Sequence, residues 1–336
     1  MYVDLDALRA NAIVAAAGTP LCAVVKADAY GLGAVCVARA LRGIARSFAV
    51  AVPAEAEELV RAGITEEITV LGRSLSPVKG RNVTYSVSSR DDVDRLSRYF
   101  SPSFAIAVDT GMHRFGADPS DVGDLYAYAC ERGRVRSVYT HLRAPEDEEL
   151  TDAQLSVFRA ATDGMHVPAH VAASGALYRD DLRMDIVRPG IALYGGAEGF
   201  GRVMRVTAPV LCVRRVPAGE GVGYGSRMLM ADTNVAVIGI GYADGYRRLT
   251  APRYVSVDGM RCRVISVCMD VCFAALPCDV TSAFEAEIVG DEITLSELAG
   301  SYGSIPYEVL TSFGKRVQRI YTGGEAYGKK RTQSAI

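Results

Sequence analysis

Eight short apolar, β-branched runs recur at fairly even intervals through the first two hundred residues of this 336-residue chain. They lie at 21–25, 48–52, 68–71, 83–87, 104–108, 135–139, 169–172 and 185–187. Helix-like stretches separate most of them. Residues 33–46 carry Val35, Val37, Ala38, Leu41 and Ile44 at roughly helical spacing. Residues 54–62 are Glu-rich early, which suits a helix N-terminus. Residues 91–100 and 120–132 are amphipathic, the latter with Ser120 as the expected cap after Pro119. The connections after the third and seventh runs are poorer in helix signal. Strands and helices alternating in this number predict an α/β fold, an N-terminal (β/α)8 TIM-type barrel at the small end of its size range. A doubly wound sheet is the alternative, but eight even units favour closure.

From about Met204 the pattern changes. Runs at 210–215, 235–240, 254–257, 263–267, 273–276 and 285–289 read as strands joined by Gly-, Asp- and Pro-containing turns. Two late helices are expected at 295–302 and 307–313. The expected organisation is therefore a barrel over 1–203, a C-terminal β-rich domain over 204–328 and a disordered tail over 329–336.

The formal charge of −2 argues against a basic nucleic-acid surface. No apolar run approaches the roughly 18 residues of a membrane span. The first residues lack a basic segment followed by an apolar one, so a cytoplasmic protein is expected. The eight cysteines include no Cys-x-x-Cys, and such scattered thiols point to a reducing compartment. Cys262, Cys268, Cys272 and Cys278 read as one apolar face of β-rich sequence, with no metal. Lysine is scarce, at 5 of 37 basic residues. A lysine kept inside an apolar stretch then calls for a chemical reason, because its amine can give up a proton and arginine's guanidinium effectively cannot.

In such barrels the active site lies at the C-terminal ends of the strands. Those ends carry Lys26, Ser88, Asp109, His141, Ser174 and Arg188. Lys26 closes the run Ala23-Val24-Val25 and precedes Tyr30 and a Gly-x-Gly, which reads as a Schiff-base lysine with a tyrosine reaching a phosphate. Arg188 precedes Pro189-Gly190, where a backbone could approach an anion closely, and Ser174 could add a hydroxyl donor. Gly221-Val222-Gly223-Tyr224-Gly225 is not a dinucleotide fingerprint, since no helix follows, and it presents Tyr224 as an accessible phenol. Of the four histidines only His141 ends a barrel run. His113, His166 and His170 read as structural or solvent-facing.

Together these motifs resemble the alanine racemase family of fold-type III pyridoxal-phosphate enzymes, from Val3-Asp4-Leu5-Asp6 to Arg319-Ile320-Tyr321. The resemblance implies pyridoxal 5′-phosphate as cofactor and interconversion of L- and D-alanine, supplying D-alanine for cell-wall synthesis. It implies that Lys26 carries the cofactor and serves as one base, with Tyr224 as the other. Tyr30, Ser174, Gly190 and Ile191 match phosphate-binding positions. Arg188 matches the arginine facing the pyridine nitrogen, with His141 beside it, and Arg114 the arginine near the phenolic oxygen. Tyr242 and Met269 match residues that line substrate access, followed by Asp270; Arg114, Tyr242, Met269 and Asp270 are thus the expected substrate contacts. The family also implies a homodimer with shared sites, Tyr224 and Met269 of one chain reaching Lys26 of the other.

Several positions depart from the family pattern. Ala107 stands where a carbamylated lysine is common, so either Asp109 or a bound anion is expected beside Arg114. Ala173 replaces a common asparagine, and Lys315 a phosphate-binding tyrosine. The short N-terminus implies the loss of a leading strand. A serine-accepting or broader racemase is the alternative within the family. More distant ones are a decarboxylase of the same fold type, which would place a carboxylate where Arg188 stands, and a non-catalytic pyridoxal-phosphate carrier, which would be a single barrel.

Overall fold

The computed structural model describes residues 1–75, 77, 78, 80, 82–98, 100–225 and 228–324. Lys79 and the expected tail at 329–336 lie outside the described residues. The chain opens with a strand, β1 (Tyr2–Asp4). The chain divides into two compact units. A barrel unit holds Leu5–Ala29 and Gly33–Gly201, and a β-rich unit holds Met1–Asp4, Tyr30–Leu32 and Arg202–Gly323.

In the barrel unit a helix, Leu5–Ala16, leads into seven parallel strands. They are β2 (Cys22–Val24), β3 (Ser47–Val50), β4 (Glu67–Val70), β5 (Val83–Val87), β6 (Ser103–Ala107), β7 (Arg134–Tyr139) and β8 (Ala169–His170), paired in that order. Strands β2, β3 and β5 are buried throughout, which explains why they read as continuous apolar runs and not as alternating ones. The eighth run, 185–187, does not form a regular strand. It is three residues long and runs into Arg188-Pro189, where proline cannot donate to a ladder. It still closes the sheet. Val187 bridges Leu21, Arg188 bridges Ala173, and the amides of Cys22 and Val24 donate to Val187 O (2.8 Å) and Pro189 O (3.0 Å).

Helices Ala34–Ala40, Pro53–Arg61, Arg90–Ser97 and Val122–Arg132 fall near the expected stretches. Ser120 does not cap the last of these, whose N-cap is Asp121; Asp118 caps the short turn that leads into it. The Asp118 carboxylate accepts from the Ser120 amide at 3.0 Å and opens a short turn over Pro119–Asp121. A further helix, Glu148–Ala161, buries Thr151, Gln154, Leu155 and Phe158. Two polar residues on that buried face hide its periodicity in the sequence.

The β-rich unit contains β9 (Met204–Val216), β10 (Thr233–Ile238), β11 (Tyr254–Val257), β12 (Met260–Val267), β13 (Cys272–Leu276), β14 (Glu285–Val289) and β15 (Ile320–Thr322). The long β9 pairs β14 through its first half and β10 through its second, which closes an antiparallel barrel in the order β9-β10-β13-β12-β11-β14. β1 and β15 extend the edge beside β9. Asp258 (φ 46°) and Gly259 (φ 83°) form the two-residue turn between β11 and β12, as an Asp-Gly hairpin requires. Helices Leu295–Ser301 and Pro306–Ser312 follow. Cys262 and Cys272 lie buried on their strands, but Cys268 is half-buried and Cys278 exposed, each in a turn beyond a strand end. The single apolar face expected for the four is therefore limited to two.

Ser88, one of the strand-end residues, serves the fold. Its amide and hydroxyl both donate at 3.1 Å to Asp92, which is 2% exposed. Arg73 pairs with the same carboxylate at 2.8 Å, and Arg95 closes on it from the next turn of the helix. Burial works to raise the Asp92 pKa, but the bonds from Arg73, Ser88, Arg95 and Ser89 hold it below the ordinary carboxylate range. Asp92→Ala should cost about 2 kcal/mol, less than a fully buried pair because Arg73 is half-exposed. Urea unfolding at neutral pH measures this. The contribution is complete above the unfolded-state pKa of about 3.9 and is lost as pH falls through the lower folded value, so the wild-type and Asp92→Ala curves should converge in acid.

Candidate active site

At the C-terminal end of β2 the chain takes a sharp and costly path. Ala27, Asp28, Ala29 and Tyr30 all lie in the left-handed region (φ 52–56°), though none is glycine. Each such residue costs about 1–2 kcal/mol, so neighbouring groups must hold the turn. Glu55 does much of this. One carboxylate oxygen accepts from the Ala27 amide at 2.6 Å, and the other from Ala51 (2.7 Å) and Val52 (3.2 Å) at the end of β3. Asp28 closes the turn from its far side, its carbonyl accepting from Gly33 (2.8 Å) and its carboxylate from Ala34 (2.7 Å). In the sequence Glu55 reads only as an acidic helix start, so its hold on the Lys26 loop was missed.

Lys26 stands half-buried at this rim. Burial lowers its pKa first, the Arg114 charge lowers it further, and Glu55 acts in the opposite sense. His141, beyond β7, is held down to about 3 by burial and by the charges of Arg188, Arg114 and Lys26, so it is a neutral imidazole near pH 7. Lys26, Arg114, His141 and Arg188 therefore share one electrostatic neighbourhood. Arg114 itself is exposed. Asp109 does not pair with it. The Asp109 carboxylate accepts from the Gly111 and His113 amides, both at 3.0 Å, and lies 3.3 Å from the His113 ring. The tight turn after β6 thus removes one of the two partners expected for Arg114. Ala107 is buried against Ala105, Tyr139 and Leu71.

Arg188 is 4% exposed, and none of the ion pairs among the described residues includes it. Its Nη1 donates to His170 O and meets His170 Nδ1, both at 2.7 Å, and its Nη2 donates to Thr140 O at 2.6 Å. An arginine donor requires Nδ1 to be the acceptor, which places the His170 proton on Nε2. That Nε2 is buried without a partner among the described residues. Burial and the Arg188 charge keep His170 well below the ordinary histidine pKa. Its ring stacks on Tyr139 with centroids 5.3 Å apart. Of the two alternatives that the sequence leaves for His170, structural or solvent-facing, the structure shows the first: it is a buried member of the Arg188 cluster on a two-residue strand.

Ser174 is buried at the start of a short turn after β8. Its Oγ accepts from the amides of Gly190 (2.9 Å) and Ala192 (3.2 Å). Ile191 begins a later short turn, Ile191–Tyr194, and is 3% exposed. This is a buried set of amide and hydroxyl donors with no acid in it.

The β-rich unit carries the remaining expected site residues. Tyr30 is buried with its pKa raised by burial and by Tyr307, whose ring lies 6.1 Å away. Tyr224 is 81% exposed between Gly223 (φ 73°) and Gly225 (φ 112°). Tyr242 and Met269 stand exposed on two neighbouring turns, and Asp270 pairs with Arg316 at 2.8 Å.

A parallel barrel with an amine at its rim is thus followed along the chain by an antiparallel β-barrel, the make-up of a two-domain α/β protein. Residues 3–198 match the family profile "Alanine racemase, N-terminal domain" and 203–321 match "Alanine racemase, C-terminal domain". The chain is 35% identical over 347 residues to the alanine racemase of Cereibacter sphaeroides, covering 96% of this chain and 97% of that one. It is 36% identical over 355 residues to the catabolic alanine racemase of Pseudomonas putida, covering 96% and 98%. Among solved structures it is similar to alanine racemase from D-cycloserine-producing Streptomyces lavendulae (TM-score 0.87, 32% identity, 96% of each chain). It is also similar to alanine racemase from Bartonella henselae with covalently bound pyridoxal phosphate (TM-score 0.85, 29% identity, 96% and 98%). This chain is an enzyme and belongs to the alanine racemase family.

Removing the Arg114 charge should raise the Lys26 pKa. Trapping a simple aldehyde on Lys26 with borohydride across a pH series, read by peptide mass, should give a midpoint below that of an ordinary lysine. The midpoint should move up in pH in Arg114→Met. An unchanged midpoint would show that Arg114 does not tune the amine.

Proposed function

We propose that this protein is a pyridoxal-phosphate-dependent alanine racemase that acts as a homodimer. Lys26 is one base and the partner subunit's Tyr224 the other. The observation that carries this reading is Lys26 itself, an amine with a lowered pKa held at the barrel rim on a left-handed turn. The buried donors of Ser174, Gly190 and Ala192 suit a phosphate, and Arg188 and the neutral His141 suit the ring that accompanies it. When bound, pyridoxal phosphate supplies the electron sink that makes a substrate Cα–H acidic.

This chain's residues would do the rest. Racemisation removes a proton from one face of Cα and returns one to the other. Lys26 Nζ holds the proton on one face and the Tyr224 hydroxyl on the other, so the substrate need not turn over. An amine ordinarily titrates near 10, and the lowered pKa of Lys26 makes it a more effective base near neutrality. Arg188 donates hydrogen bonds to carbonyls and keeps its proton, because a guanidinium is a poor acid. It therefore offers a ring nitrogen a hydrogen bond and not a proton, which should disfavour transamination. The high exposure of Tyr224, Met228 and Met230 (81%, 62% and 96%) supports a surface that a second copy covers.

Two variants test this reading. Lys26→Ala should abolish the visible absorbance of lysine-bound pyridoxal phosphate and all racemisation. Tyr224→Phe should keep that absorbance and slow turnover by about a hundredfold or more. Chiral analysis in heavy water should show unequal solvent-isotope incorporation from L- and D-alanine in Tyr224→Phe. Unchanged rates in both directions would eliminate the two-base scheme.

A further inference from the structure

Three segments of the β-rich unit meet tightly. The turn at 241–246 and the turn at 268–271 are joined by backbone hydrogen bonds, Tyr242 N to Cys268 O and Ala243 N to Met269 O, both 3.0 Å. A Cβ on Gly241 would lie 2.2 Å from Met269 O, so only glycine lets the two turns dock. The third segment follows the Pro306–Ser312 helix. A Cβ on Gly245 would lie 2.2 Å from Ser312 O, and the Gly314 amide donates to Asp244 O at 3.2 Å. Each of the two turns carries one aspartate. Asp244 Oδ2 accepts from Gly241 N at 2.9 Å and closes its own turn.

Arg316 ties these acids together. Its Nε lies 3.1 Å from Asp244 Oδ1, and its Nη1 lies 2.8 Å from Asp270 Oδ1. Two edges of one planar guanidinium thus hold one carboxylate on each turn. Each turn also carries one large exposed side chain, Tyr242 at 41% two residues before Asp244 and Met269 at 51% next to Asp270. The cluster's net charge is +1 − 2 = −1, and it becomes −2 without Arg316.

We propose that Arg316 is a positioning residue for substrate access. It fixes the paired turns that present Tyr242 and Met269, and it offsets the charge of Asp244 and Asp270 that would repel an amino-acid carboxylate. Asp270 is on this account an anchor for Arg316 and not a substrate contact. The inference rests on the racemase reading, in which Tyr242 and Met269 border the substrate.

The test compares wild type, Arg316→Ala, Arg316→Lys and Arg316→Ala combined with Asp270→Asn. Arg316→Ala should raise KM for alanine about fivefold, the scale of one solvent-accessible charge pair, with kcat changed by less than about twofold. Arg316→Lys should recover part of that loss. Adding Asp270→Asn to Arg316→Ala should recover more, because it removes the charge that Arg316 had offset. A purely structural contact would leave the double variant as poor as Arg316→Ala or worse, and that result would overturn the proposal. A second readout needs no turnover: the ¹³C-methyl signal of Met269 should sharpen in Arg316→Ala as the turn loosens. An unchanged Met269 signal together with an unchanged KM would also overturn the proposal. If the wild-type holoenzyme does not racemise alanine, the functional reading fails by itself, and the Met269 signal still decides whether Arg316 clamps the turns.

Discussion

The Glu55 carboxylate holds together the most expensive piece of backbone in the barrel unit. Four consecutive left-handed residues without a glycine would relax if nothing opposed them. One oxygen of Glu55 takes the Ala27 amide and the other takes two amides at the end of β3, so the strain of one loop is borne by the next. This places Lys26 at the rim beside Arg114 and His141. A regular continuation of β2 would carry the following residues away along the strand. The position of the amine follows from an acid 29 residues further along the chain, while its lowered pKa comes from burial and Arg114 against that acid's own charge.

Arg188 presents the complementary case. It is a buried cation held by carbonyl dipoles, one imidazole and the face of Tyr139, with its centre 5.0 Å from that ring. A carboxylate there would have neutralised it. Carbonyls leave the charge uncompensated and therefore felt by the groups around it. The half-buried His141 and the buried His170 both show the effect, since each is kept neutral partly by Arg188. An acid in the same place would work against the burial that is the larger cause of their neutrality.

The sequence makes some of this legible for physical reasons. Barrel strands buried on both faces must be apolar and β-branched, and they stand out. Lys26 stands out because the chain otherwise uses arginine. The turns of the β-rich unit announce themselves through Asp258-Gly259 and similar pairs. What stays hidden depends on partners distant in sequence. Glu55 looks like any acid at a helix start. His170 sits on two residues of strand, and Thr151 and Gln154 disguise a buried helix face. Arg316 meets Asp244 and Asp270 across 72 and 46 positions, so no local pattern could reveal it.

The last barrel segment has one more consequence. Residues 187–189 are at once the seam that joins the two edges of the curled sheet and the approach to Gly190 and Ala192, whose amides gather on Ser174. On the proposed function, stitching and phosphate capture would fall to one stretch of chain. A seam of isolated bridges is weaker than a full ladder, so a phosphate bound there as proposed would also fasten the cylinder. Occupancy of the site and integrity of the barrel are then coupled quantities, and binding free energy there is partly folding free energy.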